Sequence, residues 1–216
     1  MPAAAANTRK RVVQEVREQI LAGDLTPGSP ISERLLSEAA GVSRVPVREA
    51  LIQLENMGLV RLIAGKGAFV RTLSAREIRD LYEIRQSLEG RAARSAAERG
   101  PRDRFLAYEK VFAGLLKAKG GATAQQLYQA SSGFHELIKE CCDNHLLISL
   151  LSDIRDQVAL TRSRAYSHVS VDRHVEGVKE HMKILDAIVA GDGETAENLM
   201  RKHISTWMER QIDISR

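Results

Sequence analysis

The chain has 216 residues, 44% hydrophobic and 28% charged, with a formal net charge of +4. This is the make-up of an ordinary globular protein long enough for two domains, and it excludes disordered and fibrous classes. No apolar run approaches the roughly 20 residues of a membrane span, so no membrane partner is expected.

The basic excess is uneven. Residues 1–73 hold ten Lys/Arg against seven Asp/Glu, while the rest of the chain holds 22 against 21. A basic first third permits nucleic-acid binding without demonstrating it. The two cysteines, Cys141 and Cys142, are adjacent and build no disulfide framework, which fits a reducing cytoplasm. The opening alanine tract, residues 1–7, reads as a frayed tail, since it lacks a charged start and a true apolar core.

Residues 8–21 place Val12, Val13, Val16, Ile20 and Leu21 at helical spacing, and Gly23-Asp24 stops the helix. Two prolines, Pro27 and Pro30, make the next stretch a turn-rich connector. A second helix over 33–40 ends at Gly41. Ser43 is placed to cap a third that runs to about Asn56, with Pro46 in its first turn. Beyond Gly58 the period changes. Residues 59–63 and 68–70 read as short strands joined by Ala64-Gly65-Lys66-Gly67. Three helices followed by a glycine-tipped hairpin describe a winged helix-turn-helix.

From Ser74 onward there is no strand signal. Ser74 with Glu77 forms a capping box for a helix reaching about Arg99. Further helices are expected over 102–118, 123–142, 146–165, 171–190 and 194–212. Gly120-Gly121, 142–144, 167–170 and 191–193 separate them. The fold class is therefore mainly α: a winged helix-turn-helix over 1–73 and an all-α six-helix bundle over 74–216.

The chemistry of the first domain lies in its basic residues. Arg44 and Arg48, four apart, share one face at the start of the third helix. Arginine there can pair with guanine O6 and N7 or clamp a phosphate. Arg34 is placed to touch the DNA backbone, and Lys66 puts a cation at the hairpin tip. On spacing alone, the same residues also fit a plain basic surface.

Three histidines stand out in the second domain. His135 shares a stripe with Leu127, Ser131, Ile138 and Cys142. His181 shares one with Val178, Leu185 and Ile188, and His203 one with Ala196, Met200 and Trp207. All three imidazoles should point into the bundle, where each needs a partner. A backbone carbonyl could serve each ring singly, or one divalent metal could satisfy all three. No carboxylate is seen on these stripes to act as a general base. His145, His168 and His174 lie in or near connectors.

The blocks Gly23-Asp24-Leu25-Thr26-Pro27-Gly28, Gly41-Val42-Ser43-Arg44-Val45-Pro46-Val47-Arg48-Glu49-Ala50-Leu51 and Gly65-Lys66-Gly67-Ala68-Phe69-Val70 resemble the signature of GntR-family regulators. The resemblance implies that Arg34, Arg44, Val45, Arg48, Lys66 and Gly67 lie at operator DNA. Val45 stands where the family often has threonine, so a hydrogen bond from that side chain is lost. Downstream, the segment from Glu77 to Arg85, Phe134-His135, Glu180-His181 and Lys202-His203-Ile204 resemble the FCD effector domain of the FadR-like branch.

That resemblance implies a homodimer and a small acidic effector. It also implies a divalent metal (Zn, Ni or Mn) on His135, His181 and His203, and no organic cofactor. Metal-binding members carry an aspartate one turn before the first histidine, and Ser131 stands there instead. Three neutral imidazoles would leave the metal's charge uncompensated, which favours an anionic effector near Ser131 and Arg85. Arg85 fits either a carboxylate clamp or a surface ion pair with Glu89 at i+4. The expected function is a transcriptional regulator, usually a repressor in this family, rather than an enzyme. A tri-histidine hydrolase and a ligand-free helical scaffold are the competing classes.

Overall fold

A computed structural model of the chain describes the backbone of residues 2–118, 121–165 and 170–214, with side chains over 7–118, 121–161 and 170–213. Gly120, residues 167–169 of the last long connector, and His168 with them, lie outside the described residues. The chain divides into two units, Met1–Ser74 with Asp153–Ser167, and Ala75–Ser152 with His168–Arg216. Among the described residues, no helix is long and apolar enough to cross a membrane.

The first unit contains α1 (Pro2–Ala22), β1 (Pro30–Ile31), α2 (Glu33–Ala40), α3 (Arg44–Asn56), β2 (Val60–Ile63) and β3 (Gly67–Val70). Its first helix starts at Pro2, where the sequence suggested a frayed tail. Alanine is the best helix former, and a proline at the first helical position sacrifices no hydrogen bond. The strand β1 is a correction to the expected hairpin. It pairs antiparallel with β3, Ile31 opposite Ala68, and gives a three-stranded sheet in the order β1-β3-β2.

Local chemistry fixes the turn between α2 and α3. The Ser32 hydroxyl accepts from the Leu35 N–H at the start of α2, and Gly41 closes it at φ 65°, a left-handed cap that favours glycine. Ser43 occupies the N-cap position of α3 in extended conformation, yet its side chain makes no capping hydrogen bond. What holds α3 is burial: Val47, Ala50, Leu51 and Leu54 join Val12, Val16 and Ile20 of α1 in one core. Each such side chain contributes roughly 1.5–3 kcal/mol. Leu160, from a helix over His145–Ala165 (α7), also enters this core. Nearby, Asp156 takes two hydrogen bonds from Arg17, Nε to Oδ2 at 2.7 Å and Nη2 to Oδ1 at 2.6 Å.

The second unit is built from α4 (Ala75–Arg99), α5 (Arg102–Leu116), α6 (Ala124–Cys141), the start of α7, α8 (Val171–Ala190) and α9 (Gly193–Ile214). Helices α4 and α9 form its most extensive contact. They can approach because α4 buries small residues, Gly90, Ala92, Ala93, Ala96 and Ala97. A Cβ added at Gly90 would lie 2.8 Å from Arg201 Cγ. A Thr123–Gln126 capping box starts α6, Ser170 caps α8, and Gly191 ends α8 at φ 79°. Inside, Phe112 and Phe134 pack edge to face with centroids 5.2 Å apart. The Tyr108 hydroxyl donates to the Ala130 carbonyl at 2.6 Å, and burial pushes that phenol up to about 12.

Candidate functional site

In the first unit, the side of α3 not spent on the core faces outward. Arg44 and Arg48 are exposed, and Val45 keeps 65% of its surface accessible between them. Arg48 Nε donates to Glu33 Oε2 at 2.8 Å, and Arg34 Nη1 donates to Glu38 Oε1 at 2.9 Å. All four side chains are at least partly solvated, so these pairs hold their arginines only weakly. Lys66 is exposed at the β2–β3 turn. Gly65 and Gly67 have φ of 73° and 94°, and nothing lies within 4 Å of an added Cβ at either. Backbone conformation, not crowding, therefore favours glycine there.

In the second unit, three helices bring the three predicted histidines together. His135 comes from α6, His181 from α8 and His203 from α9, and their ligand nitrogens lie within 4.8 Å of one another. His181 Nε2 is 3.1 Å from His135 Nε2 and 3.0 Å from His203 Nε2. Aromatic packing positions the middle ring: Phe112 stacks on His181 at 5.8 Å, with Phe134 tilted against it at 5.3 Å. His181 and His203 are buried, and His135 is nearly so.

Two carboxylates complete the arrangement, and the sequence reading did not assign them to it. Glu89 Oε2 accepts from His135 Nδ1, and Glu180 Oε2 accepts from His203 Nδ1 at 2.6 Å. A carboxylate can only accept, so in neutral rings these contacts put the proton on Nδ1 and a lone pair on Nε2. His181 could supply at most one N–H to two facing acceptors. The donor set is therefore rich in lone pairs at its centre. Neutral imidazole nitrogens are good ligands for Zn²⁺, Ni²⁺ and similar cations. Two such nitrogens on one ion at about 2.1 Å sit roughly 3–3.4 Å apart, close to the 3.1 and 3.0 Å that separate His181 from the other two rings. The residues present fit a divalent metal.

The carboxylates do not lie where a general base was sought. They meet the histidines from behind, on the Nδ1 side. Glu89 also accepts from Arg85 Nε, and Glu180 Oε1 accepts from Arg173 Nη1 at 2.9 Å. Burial would raise the Glu89 carboxyl, but the Arg85 charge, helped by His135, holds it well below the usual carboxylate range. Burial likewise opposes the ionised form of Glu180, which hydrogen bonds from His203 and Arg173 bring down to about 2. His203 itself is lowered, chiefly by burial and against the pull of Glu180. Its contact with Glu180 is therefore a hydrogen bond from a neutral ring, and Arg173 supplies the opposing charge.

Arg85 corrects one expectation. Its ion pair with Glu89 is present but buried: Arg85 is 1% exposed, and its charge form is retained because Glu89 outweighs the burial cost. Its Nη2 is buried with no hydrogen-bond partner among the described residues, as are Nε and Nη2 of Arg173, which lies over the Trp207 ring. Ser131 is half-buried one turn before His135. His145 begins α7, while His174 is buried beside Trp207 and not in a connector.

Residues 8–70 match the profile of the bacterial regulatory proteins of the gntR family, and residues 80–206, more than half of the chain, match the FCD domain. The chain is 27% identical over 205 residues to the HTH-type transcriptional repressor RspR of Escherichia coli K12, covering 94% of this chain and 89% of that one. It is 28% identical over 208 residues to a probable D-xylose utilization operon transcriptional repressor of Paenarthrobacter nicotinovorans, with 93% and 89% covered. Its fold resembles that of Escherichia coli McbR/YncC with a TM-score of 0.78 at 19% identity, covering 95% and 97% of the chains. The chain belongs to the gntR family, with an FCD domain behind its helix-turn-helix, and is a transcriptional regulator rather than an enzyme.

Proposed function

We propose that this regulator represses transcription as a homodimer, binding operator DNA through residues 1–73 and sensing a small carboxylate-bearing metabolite through residues 74–216. The observation that carries the sensing half is the convergence of three imidazole Nε2 atoms on one point. In this reading His135, His181 and His203 hold a divalent metal, and the effector's carboxylate completes its coordination near Ser131. The unspent Nη2 of Arg85 is the second anchor for that anion. Repression is the activity by which two relatives are named, and work on DNA in a reducing cytoplasm fits two free cysteines.

On the DNA side, Arg44, Val45 and Arg48 enter the major groove. Arg34 touches phosphates, and Lys66 with Gly67 follows the backbone at the wing. Two copies related by a two-fold axis require an imperfect palindrome. The test is a melting-temperature screen of organic acids against the untagged full chain, with and without Zn²⁺, Ni²⁺ or Mn²⁺. A true effector binds the folded state and raises the transition by mass action. The same compound should alter the gel shift of the chain's own upstream DNA. An acid that shifts the transition equally in His181→Ala, or metal retained by His181→Ala, would leave the histidines as core residues. No shift of upstream DNA by the full chain would sink the operator assignment.

A further inference from the structure

The pairs Arg17–Asp156, Arg85–Glu89 and Arg173–Glu180 lie wholly or partly out of solvent, and they do not close in the same way. Arg17 and Asp156 form the fork that such pairs favour, two parallel hydrogen bonds to both oxygens. Arg85–Glu89 and Arg173–Glu180 do not. In each, one carboxylate oxygen takes the guanidinium and the other turns aside to an imidazole Nδ1, His135 in the first case and His203 in the second. The cost is visible on the arginines, since Nη2 of Arg85 and Nε and Nη2 of Arg173 are left buried without partners among the described residues. An ion pair that served only the core would use those N–H groups. The diversion occurs twice, on different helices, and each time toward a ring whose Nε2 faces the same centre.

We infer that Glu89 and Glu180 are the anionic positioning residues of the histidine centre, supplying from behind two imidazoles the negative charge that Ser131 cannot supply from the front. The assignment rests on the metal reading above. Each carboxylate holds its ring in one rotation, fixes the Nδ1–H tautomer so that the lone pair points inward, and makes the imidazole a stronger donor. Together they place two negative charges next to a divalent ion. Arg85 and Arg173 keep those carboxylates ionised, Glu89 in a dry interior and Glu180 at a half-buried position, and balance them when no ion is bound. The missing aspartate is thus compensated by residues on α4 and α8, neither on the histidine stripe of α6 where the aspartate would sit.

The test is a Co²⁺ titration of the full chain, followed by visible absorption, in wild type, Glu89→Gln and Glu180→Gln. Glutamine can still accept from Nδ1–H through its one carbonyl oxygen, which keeps the ring orientation, while the charge and the oxygen facing the arginine are lost. Each substitution should weaken Co²⁺ binding about 10- to 100-fold. Asp156→Asn, a carboxylate lost outside the histidine centre, should lower the melting temperature and leave Co²⁺ affinity unchanged. Glu180 is more solvated than Glu89, so Glu180→Gln carries the test if Glu89→Gln does not fold. Wild-type affinity in Glu180→Gln overturns the assignment. A wild type that takes up no Co²⁺ overturns the metal reading beneath it instead.

Discussion

Arginine meets glutamate on the surface of the helix-turn-helix and again inside the FCD domain, and the two settings give the same pair opposite uses. Arg34–Glu38 and Arg48–Glu33 sit in water, where the Coulomb gain is small and a DNA phosphate or guanine edge can take the place of the glutamate. Arg85–Glu89 is enclosed, so neither partner can leave without stranding a charge. Exposed pairs hold their arginines loosely enough for another partner to compete. Enclosed pairs act as fixed scaffolding for a third group, here an imidazole.

The largest expected effect breaks the enclosed pair. Arg85→Met should cost about 3–5 kcal/mol in urea unfolding, because Glu89 loses the charge that keeps it ionised. Adding Glu89→Leu should restore much of that loss, and a double variant as unstable as the single would place the cost in packing alone. An intermediate effect is expected at Arg17–Asp156, which is forked but only partly enclosed. Asp156→Asn should cost about 2 kcal/mol by the same measurement.

Arg48→Ala sharpens the exposed side of the comparison. Operator binding at fixed salt should weaken by roughly 1–3 kcal/mol with relaxed base preference. Unfolding free energy should move by no more than about 0.5 kcal/mol. A change in stability larger than the change in binding would show that the Glu33 pair is structural after all. The smallest effect concerns a half-buried group, the Tyr108 phenol. Tyr108 is raised from 10 to about 12 by burial, so the folded chain keeps a proton that the unfolded chain loses between those values. Its contribution to stability is full below pH 10 and is lost as pH climbs toward 12. Ultraviolet titration should show a late phenol that disappears in Tyr108→Phe, at a cost of about 1 kcal/mol.

Much of this was legible in the sequence, for definite reasons. Apolar residues at helical spacing located the helices of both units, and glycine turns such as Gly41 and Gly191 marked where they end. The histidines were legible because a polar ring on an apolar stripe has to find a partner. Strand β1 was not, since two residues beside a proline show no alternation and gain their state only by pairing with β3. Glu89 and Glu180 were missed because a glutamate off the apolar stripe reads as a solvated residue. Nothing in one helix's periodicity says that Glu180 of α8 reaches His203 of α9. Arg85 was half legible: i+4 spacing named its partner, but only the packing of α4 against its neighbours shows that the pair is dry.

The shared carboxylates have a consequence for how this sequence can drift. Because Glu89 answers to both Arg85 and His135, a change at any one of the three leaves two others mismatched in a dry interior. The same holds for Arg173, Glu180 and His203. Each trio is therefore a single heritable character. Across related chains its members should be kept or replaced together, whereas Glu38, exposed and content with water, is free to vary alone.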